Sequence, residues 1–190
     1  MMRQCLLVVD MLNDFLDKME SGERGQLVQK TNTLIAACRS HEVPIVWVKQ
    51  EFRPDLSDAF LEMRDKQISI TIAGTSGAQF HDELDFRESD TQILKKRYSA
   101  FFKTPLEDVL NELNITHLIL AGVNTHACVR MAAIDAYQRD LRVVLATDCI
   151  ASNDREHHDV SLRYMKDKIA ITRTNSQIED VLSGAQYSDQ

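Results

Sequence analysis

The sequence predicts an α/β fold: three layers, α-β-α, around a mostly parallel, six-stranded, Rossmann-like sheet. Three observations point there. Short, nearly continuous apolar runs recur along the chain, the mark of strands buried on both faces. Amphipathic stretches at helical spacing separate those runs. The 190 residues are 44% hydrophobic and 27% charged, the proportions of a globular domain with a sizeable core. A single domain over 1–190 is expected, with disorder confined to the last few residues.

Cys5–Val9 is the first strand. Gln26–His41 then places Leu27, Leu34, Ile35 and Cys38 at helical spacing. Pro44 breaks that pattern, and Ile45–Val48 reads as the second strand. Thr91–Leu94 is the third. Thr104 and Pro105 offer a cap and first position for a helix bearing Leu106, Val109, Leu110 and Leu113. His117–Ala121 is a fourth strand running into Gly122, and a helix of small residues is expected over Ala127–Gln138. Leu141–Ala146 is the fifth strand, Asp154–Lys166 a helix, Ile169–Thr172 the sixth strand and Gln177–Leu182 a closing helix. Between Arg53 and Ser89 the periodicity fades. A long irregular stretch in a compact domain is often functional, and here a helix plus a loop are expected to cover one edge of a site.

The formal net charge is -7, and Lys95-Lys96-Arg97 is the one basic run. Such a chain is a poor match for nucleic acid or an anionic membrane surface. The first apolar run is too short for a signal peptide, and no stretch reaches the roughly 20 apolar residues of a membrane span. A cytoplasmic location is therefore expected. The four cysteines, at 5, 38, 128 and 149, form no CxxC pair and suit neither a disulfide framework nor a zinc knuckle. Reduced thiols are expected, with Cys5, Cys38 and Cys149 in the core.

Ligands of open parallel sheets bind beyond the carboxyl ends of the strands. Asp10, Lys95 and Cys128 all fall at such ends. Taken singly, each has an ordinary reading: a turn carboxylate, a solvated lysine, a small buried thiol. Together they make a nucleophile with its helpers. A helix N-terminus and a neighbouring lysine favour thiolate at Cys128. A carboxylate can take the thiol proton and return it to a leaving amine. Amides in the Gly122–Cys128 turn can receive an oxyanion.

Three segments carry a resemblance. They are Leu7-Val8-Val9-Asp10-Met11-Leu12-Asn13-Asp14-Phe15, Lys95-Lys96-Arg97-Tyr98-Ser99-Ala100-Phe101, and Ala121-Gly122-Val123-Asn124-Thr125-His126-Ala127-Cys128-Val129. In this order and spacing the chain resembles the isochorismatase-like cysteine hydrolases, which include amidases. The resemblance implies a catalytic triad of Asp10, Lys95 and Cys128, a cis peptide between Val123 and Asn124, and an oxyanion hole from the Asn124 and Cys128 amides. It places Phe15 in the substrate pocket; Gln50, Arg53 and Thr125 are further candidates, Arg53 as a clamp for a substrate carboxylate or else as a surface ion pair with Asp55 or Asp58. It implies a small-molecule substrate and a homo-oligomer, dimer or tetramer. Nicotinamidase relatives hold a metal near the second strand, but Glu51 and Arg53 stand where two of its ligands would be, and arginine does not ligate a cation. No metal and no cofactor are expected, and His126 reads as a wall or interface residue. The expected activity is cleavage of a C–N bond through a thioester. The alternatives are a non-amide hydrolase and a thiol-bearing protein without catalysis.

Overall fold

A computed structural model describes residues 2–166 and 168–185; the expected disorder of the last few residues concerns positions outside that range. The strands are β1 (Gln4–Val9), β2 (Ile45–Gln50), β3 (Thr91–Lys95), β4 (His117–Val123), β5 (Arg142–Ala151) and β6 (Ala170–Arg173). The helices are α1 (Asn13–Leu16), α2 (Ser21–Ser40), α3 (Leu61–Lys66), α4 (Leu106–Glu112), α5 (Arg130–Tyr137), α6 (Arg155–Met165) and α7 (Asn175–Leu182).

The strands form one six-stranded sheet in the order β3-β2-β1-β4-β5-β6. Every pairing is parallel, not merely most of them. Alternate strand residues serve opposite cores, as the two-residue period demands. Leu7, Val9, Val48 and Leu120 pack under α4, α5 and α6. Leu6, Val8, Trp47 and Ile119 pack under α2 and α7. Small residues Ala132, Ala133 and Ala136 let α5 lie close on the sheet.

Element boundaries depart from expectation where polar residues find tertiary partners. β5 runs on to Ala151, past the expected end at Ala146. The Thr147 hydroxyl donates to the Arg173 carbonyl at 3.1 Å, and the Asp148 carboxylate accepts from the Asn175 amide at 2.8 Å. The β4–β5 register also slips, Leu120 facing Leu145 but Gly122 facing Ile150. α2 begins at Ser21 rather than Gln26, since Gly22 and Gly25 cost helix stability without forbidding it.

The irregular stretch after β2 is built, not slack. Phe52, Leu56, Ala59 and Met63 make a small core of their own. Asn13 and Asp14 of α1 hold the next turn. The Asn13 side chain donates to the Ser76 carbonyl at 2.9 Å, and Asp14 accepts from the Thr71 amide at 2.6 Å. A Cβ on Gly77 would stand 2.1 Å from the Asp14 carboxylate, so only glycine admits this clamp.

Candidate active site

The strand order reverses between β1 and β4, the usual place for a ligand crevice. β1 ends there in Asp10, which has left-handed backbone (φ 52°). Aspartate tolerates this region better than most residues. Its neighbour β4 comes in close at Gly122, paired with Val9. A Cβ at Gly122 (φ 120°) would lie 2.0 Å from the Val9 carbonyl oxygen. Beyond it the Val123–Asn124 peptide is cis. Thr125–Val129 then forms a π-helical turn, closed by the Val129 amide donating to Asn124 O at 3.2 Å, and α5 follows. The helix expected from Ala127 thus opens as a wider turn, a feature common at functional sites, with Cys128 inside it.

The structure brings Asp10, Lys95 and Cys128 together. The Lys95 ammonium lies 2.7 Å from Asp10 Oδ2, both side chains fully buried. It donates to Cys128 Sγ at 3.3 Å, to Gln50 Oε1 at 3.1 Å and to the Arg97 carbonyl at 3.1 Å. Asp10 Oδ1 accepts from the Gln50 amide at 2.7 Å. Lys96 lies on the other face of the strand, half-exposed, with Asp58 at 3.0 Å.

Gln50 has a larger part than a wall residue. It faces Lys95 in the β2–β3 register, and its side-chain oxygen sits 4.0 Å from Cys128 Sγ. It therefore touches all three groups. The sequence signal for this was present: a polar residue at the carboxyl end of a buried strand.

One electrostatic expectation is corrected. The thiol of Cys128 is held above its ordinary range rather than below it, by burial first and the Asp10 charge second, with Lys95 pulling the other way. A turn-end dipole does not offset complete burial. Lys95 feels burial pulling its pKa down, but the Asp10 and Cys128 charges outweigh this, and the net shift is upward. Burial thus favours the neutral thiol at Cys128, and the ammonium form persists at Lys95 beside it.

A cavity of about 480 Å³ opens onto the sulfur, within the common size range for small ligands. Phe15, Gln50, Asn124, His126 and Cys128 are among its walls. Two expected wall residues are not. Arg53 is exposed and turned away, because Phe52 fills the small core beside it. Its amide donates to Asp58 at 2.9 Å, and its charge helps, after the Ser57 amide, to hold Asp55 below the usual carboxylate range. Thr125 is fully buried behind the wall, its hydroxyl donating to the Ala151 carbonyl at 3.0 Å and paired with His158 Nδ1 at 2.9 Å. It ties the π turn to β5. The helix plus loop expected between Arg53 and Ser89 do cover one edge of the cavity, through α3 with the residue before it and the irregular segment after it; the individual wall residues Phe60, Met63, Ile68 and Ile70 were not singled out by the sequence. Glu51 forms an ion pair with Lys49 at 2.9 Å. Among the described residues no group of three or more His, Cys, Asp or Glu side chains is placed to share a metal ion, and no helix is long and apolar enough to cross a membrane.

Fold and site together define an α/β protein with a buried thiol, ammonium and carboxylate in contact at its switch point. Residues 4–177 match the Isochorismatase domain family, and the chain belongs to that family. The uncharacterized isochorismatase family protein YaaI of Bacillus subtilis is 30% identical over 189 residues, covering 92% of this chain and 96% of that one. An Arabidopsis thaliana protein described as a probable inactive nicotinamidase is 32% identical over 172 residues, covering 85% and 87%. The crystal structure of N-carbamoylsarcosine amidase from Thermoplasma acidophilum superposes with a TM-score of 0.79 at 27% identity, covering 94% of this chain and 99% of that one. The family is one of hydrolases, amidases among them.

Proposed function

We propose that the protein is a cysteine hydrolase that cleaves a C–N bond of a small amide, carbamoyl or ureido compound. The observation that carries this reading is the triad geometry. A buried thiol lines a ligand-sized cavity, and behind it an ammonium touches both the thiol and a buried carboxylate.

The reaction runs in two halves. Asp10 takes the thiol proton as Cys128 Sγ bonds to the substrate carbonyl carbon. The oxyanion lies on the Asn124 and Cys128 amides, which supply stabilisation in a water-poor site. The C–N bond then breaks, the nitrogen leaves as ammonia or amine with the proton from Asp10, and a thioester remains. Water attacks the thioester with Asp10 as base, releasing the acid and restoring the thiol. Lys95 holds Asp10 in place and balances the charge passing between it and the sulfur.

The test is ammonia release from a panel of small carboxamides and ureido compounds, with intact-protein mass spectrometry for an acyl group on Cys128. Cys128→Ala is expected to lose at least about a thousandfold in rate, in line with removal of a nucleophile. A variant that keeps the wild-type rate overturns the scheme.

A further inference from the structure

The walls of the cavity restrict what the acyl part can be. Phe15, Phe60, Met63, Ile68, Ile70 and Tyr98 are among them. Among the described residues no lysine or arginine side chain lines it. The cations close by in sequence are committed elsewhere. Lys95 donates to Gln50, Arg97 O and Cys128 and is paired with Asp10, so its three hydrogens have four claimants. Lys96 pairs with Asp58, and Arg97 donates to the Asp58 carbonyl at 2.9 Å and lies over the Phe60 ring. Arg53 is exposed and outside the cavity.

Two titratable side chains of the wall, Glu62 and His126, offer an acyl carboxylate no cation either. Glu62 brings a carboxylate to the mouth, and its partner Lys66, at 2.7 Å, lies one helical turn farther along α3 and outside the cavity. His126 holds Ser152 Oγ through Nδ1 at 2.6 Å. Burial first, and the neighbouring His157 and His158 after it, keep the imidazole below its ordinary range against the pull of Asp154, which disfavours its cationic form.

Resting on the amide-cleaving reading above, we propose that the substrate is an uncharged carboxamide with an apolar acyl part, aliphatic or aromatic, and that acyl groups ending in a carboxylate are refused. An anion entering this cavity would lose its water and meet no cation in return. Burial of a charge without a partner is among the largest penalties in recognition. An apolar chain gains from the same walls by leaving water.

The experiment compares 3-phenylpropanamide with the same molecule bearing a para-carboxylate on the ring. Calorimetry on Cys128→Ser protein measures binding without turnover. The neutral amide is expected to bind at least tenfold more tightly. Ile70→Lys, which sets an ammonium on a half-buried wall position, is expected to narrow or reverse that ratio. Equal or tighter binding of the carboxylate, failure of the neutral amide to bind, or an unchanged ratio in Ile70→Lys each overturns the proposal. Ammonia release by the wild-type protein is read separately. If it is absent while the binding preference stands, the amide-cleaving reading fails and the cavity's preference for neutral apolar ligands survives.

Discussion

At the scale of single residues, the decisive quantity is the charge balance among Asp10, Lys95 and Cys128. A buried ion pair contributes little net stability, but removing one partner strands the other. Lys95→Met should therefore cost about 3–5 kcal/mol in urea unfolding, and the double variant Asp10→Asn with Lys95→Met should recover part of it. A single variant as stable as the parent would mean that the pair is not held as described. Asp10 and Lys95 were legible in the sequence as polar residues at the ends of apolar runs, and Cys128 from the turn that follows such a run and from the family resemblance. The thiol's protonation was not legible. The dipole at a helix start is visible in a pattern of residues, whereas complete burial is a property of the packed fold. Arg53 shows a related limit: a charge three residues beyond Gln50 invites a ligand role, but Phe52 turns inward and sends its neighbour outward, towards Asp55 and Asp58.

At the scale of elements, the approach of β4 to β1 sets the site. Gly122→Ala would drive a Cβ to within 2.0 Å of backbone on β1, where nothing can rotate aside, in a conformation that suits glycine. A loss of about 3 kcal/mol is expected, at the upper end for overpacking, together with loss of activity in whatever fraction still folds. Thermal melts measure the first; a melting temperature unchanged from the parent would contradict the close approach. Apolar runs announced the strands well, since buried parallel strands need little else. They failed at Thr147 and Asp148, whose partners on β6 and α7 lie far along the chain. They also failed over residues 53–89, where the cavity wall is made of scattered Phe, Met and Ile residues without a regular period.

For the whole molecule, the buried thiols make a prediction about alkaline pH. Burial pushes Cys5, Cys38 and Cys149 from 9.0 up to about 12. Below pH 9.0 folded and unfolded chains hold the same protons on these groups; between 9.0 and about 12 the unfolded chain sheds them and the folded chain does not. Stability is thus full below that window and falls as pH rises through it, by up to about 1.4 kcal/mol per pH unit for each thiol. Lys95, also shifted upward, acts in the same direction. Urea midpoints should hold steady up to about pH 9 and then fall; a flat profile into the alkaline range would refute this account.

Lys95 belongs to β3, one of the two edge strands of the sheet, with Gln92 and Leu94 facing solvent. Its ammonium reaches past β2 to Asp10 at the end of β1. Sheet margins open locally at lower cost than sheet centres. In a denaturant series, hydrolysis is therefore expected to vanish before the far-ultraviolet circular dichroism changes. Coincidence of the two curves would show that the margin is as firmly held as the middle. A chain stored under mild stress would then keep its outline while its chemistry, anchored at the rim, is already gone.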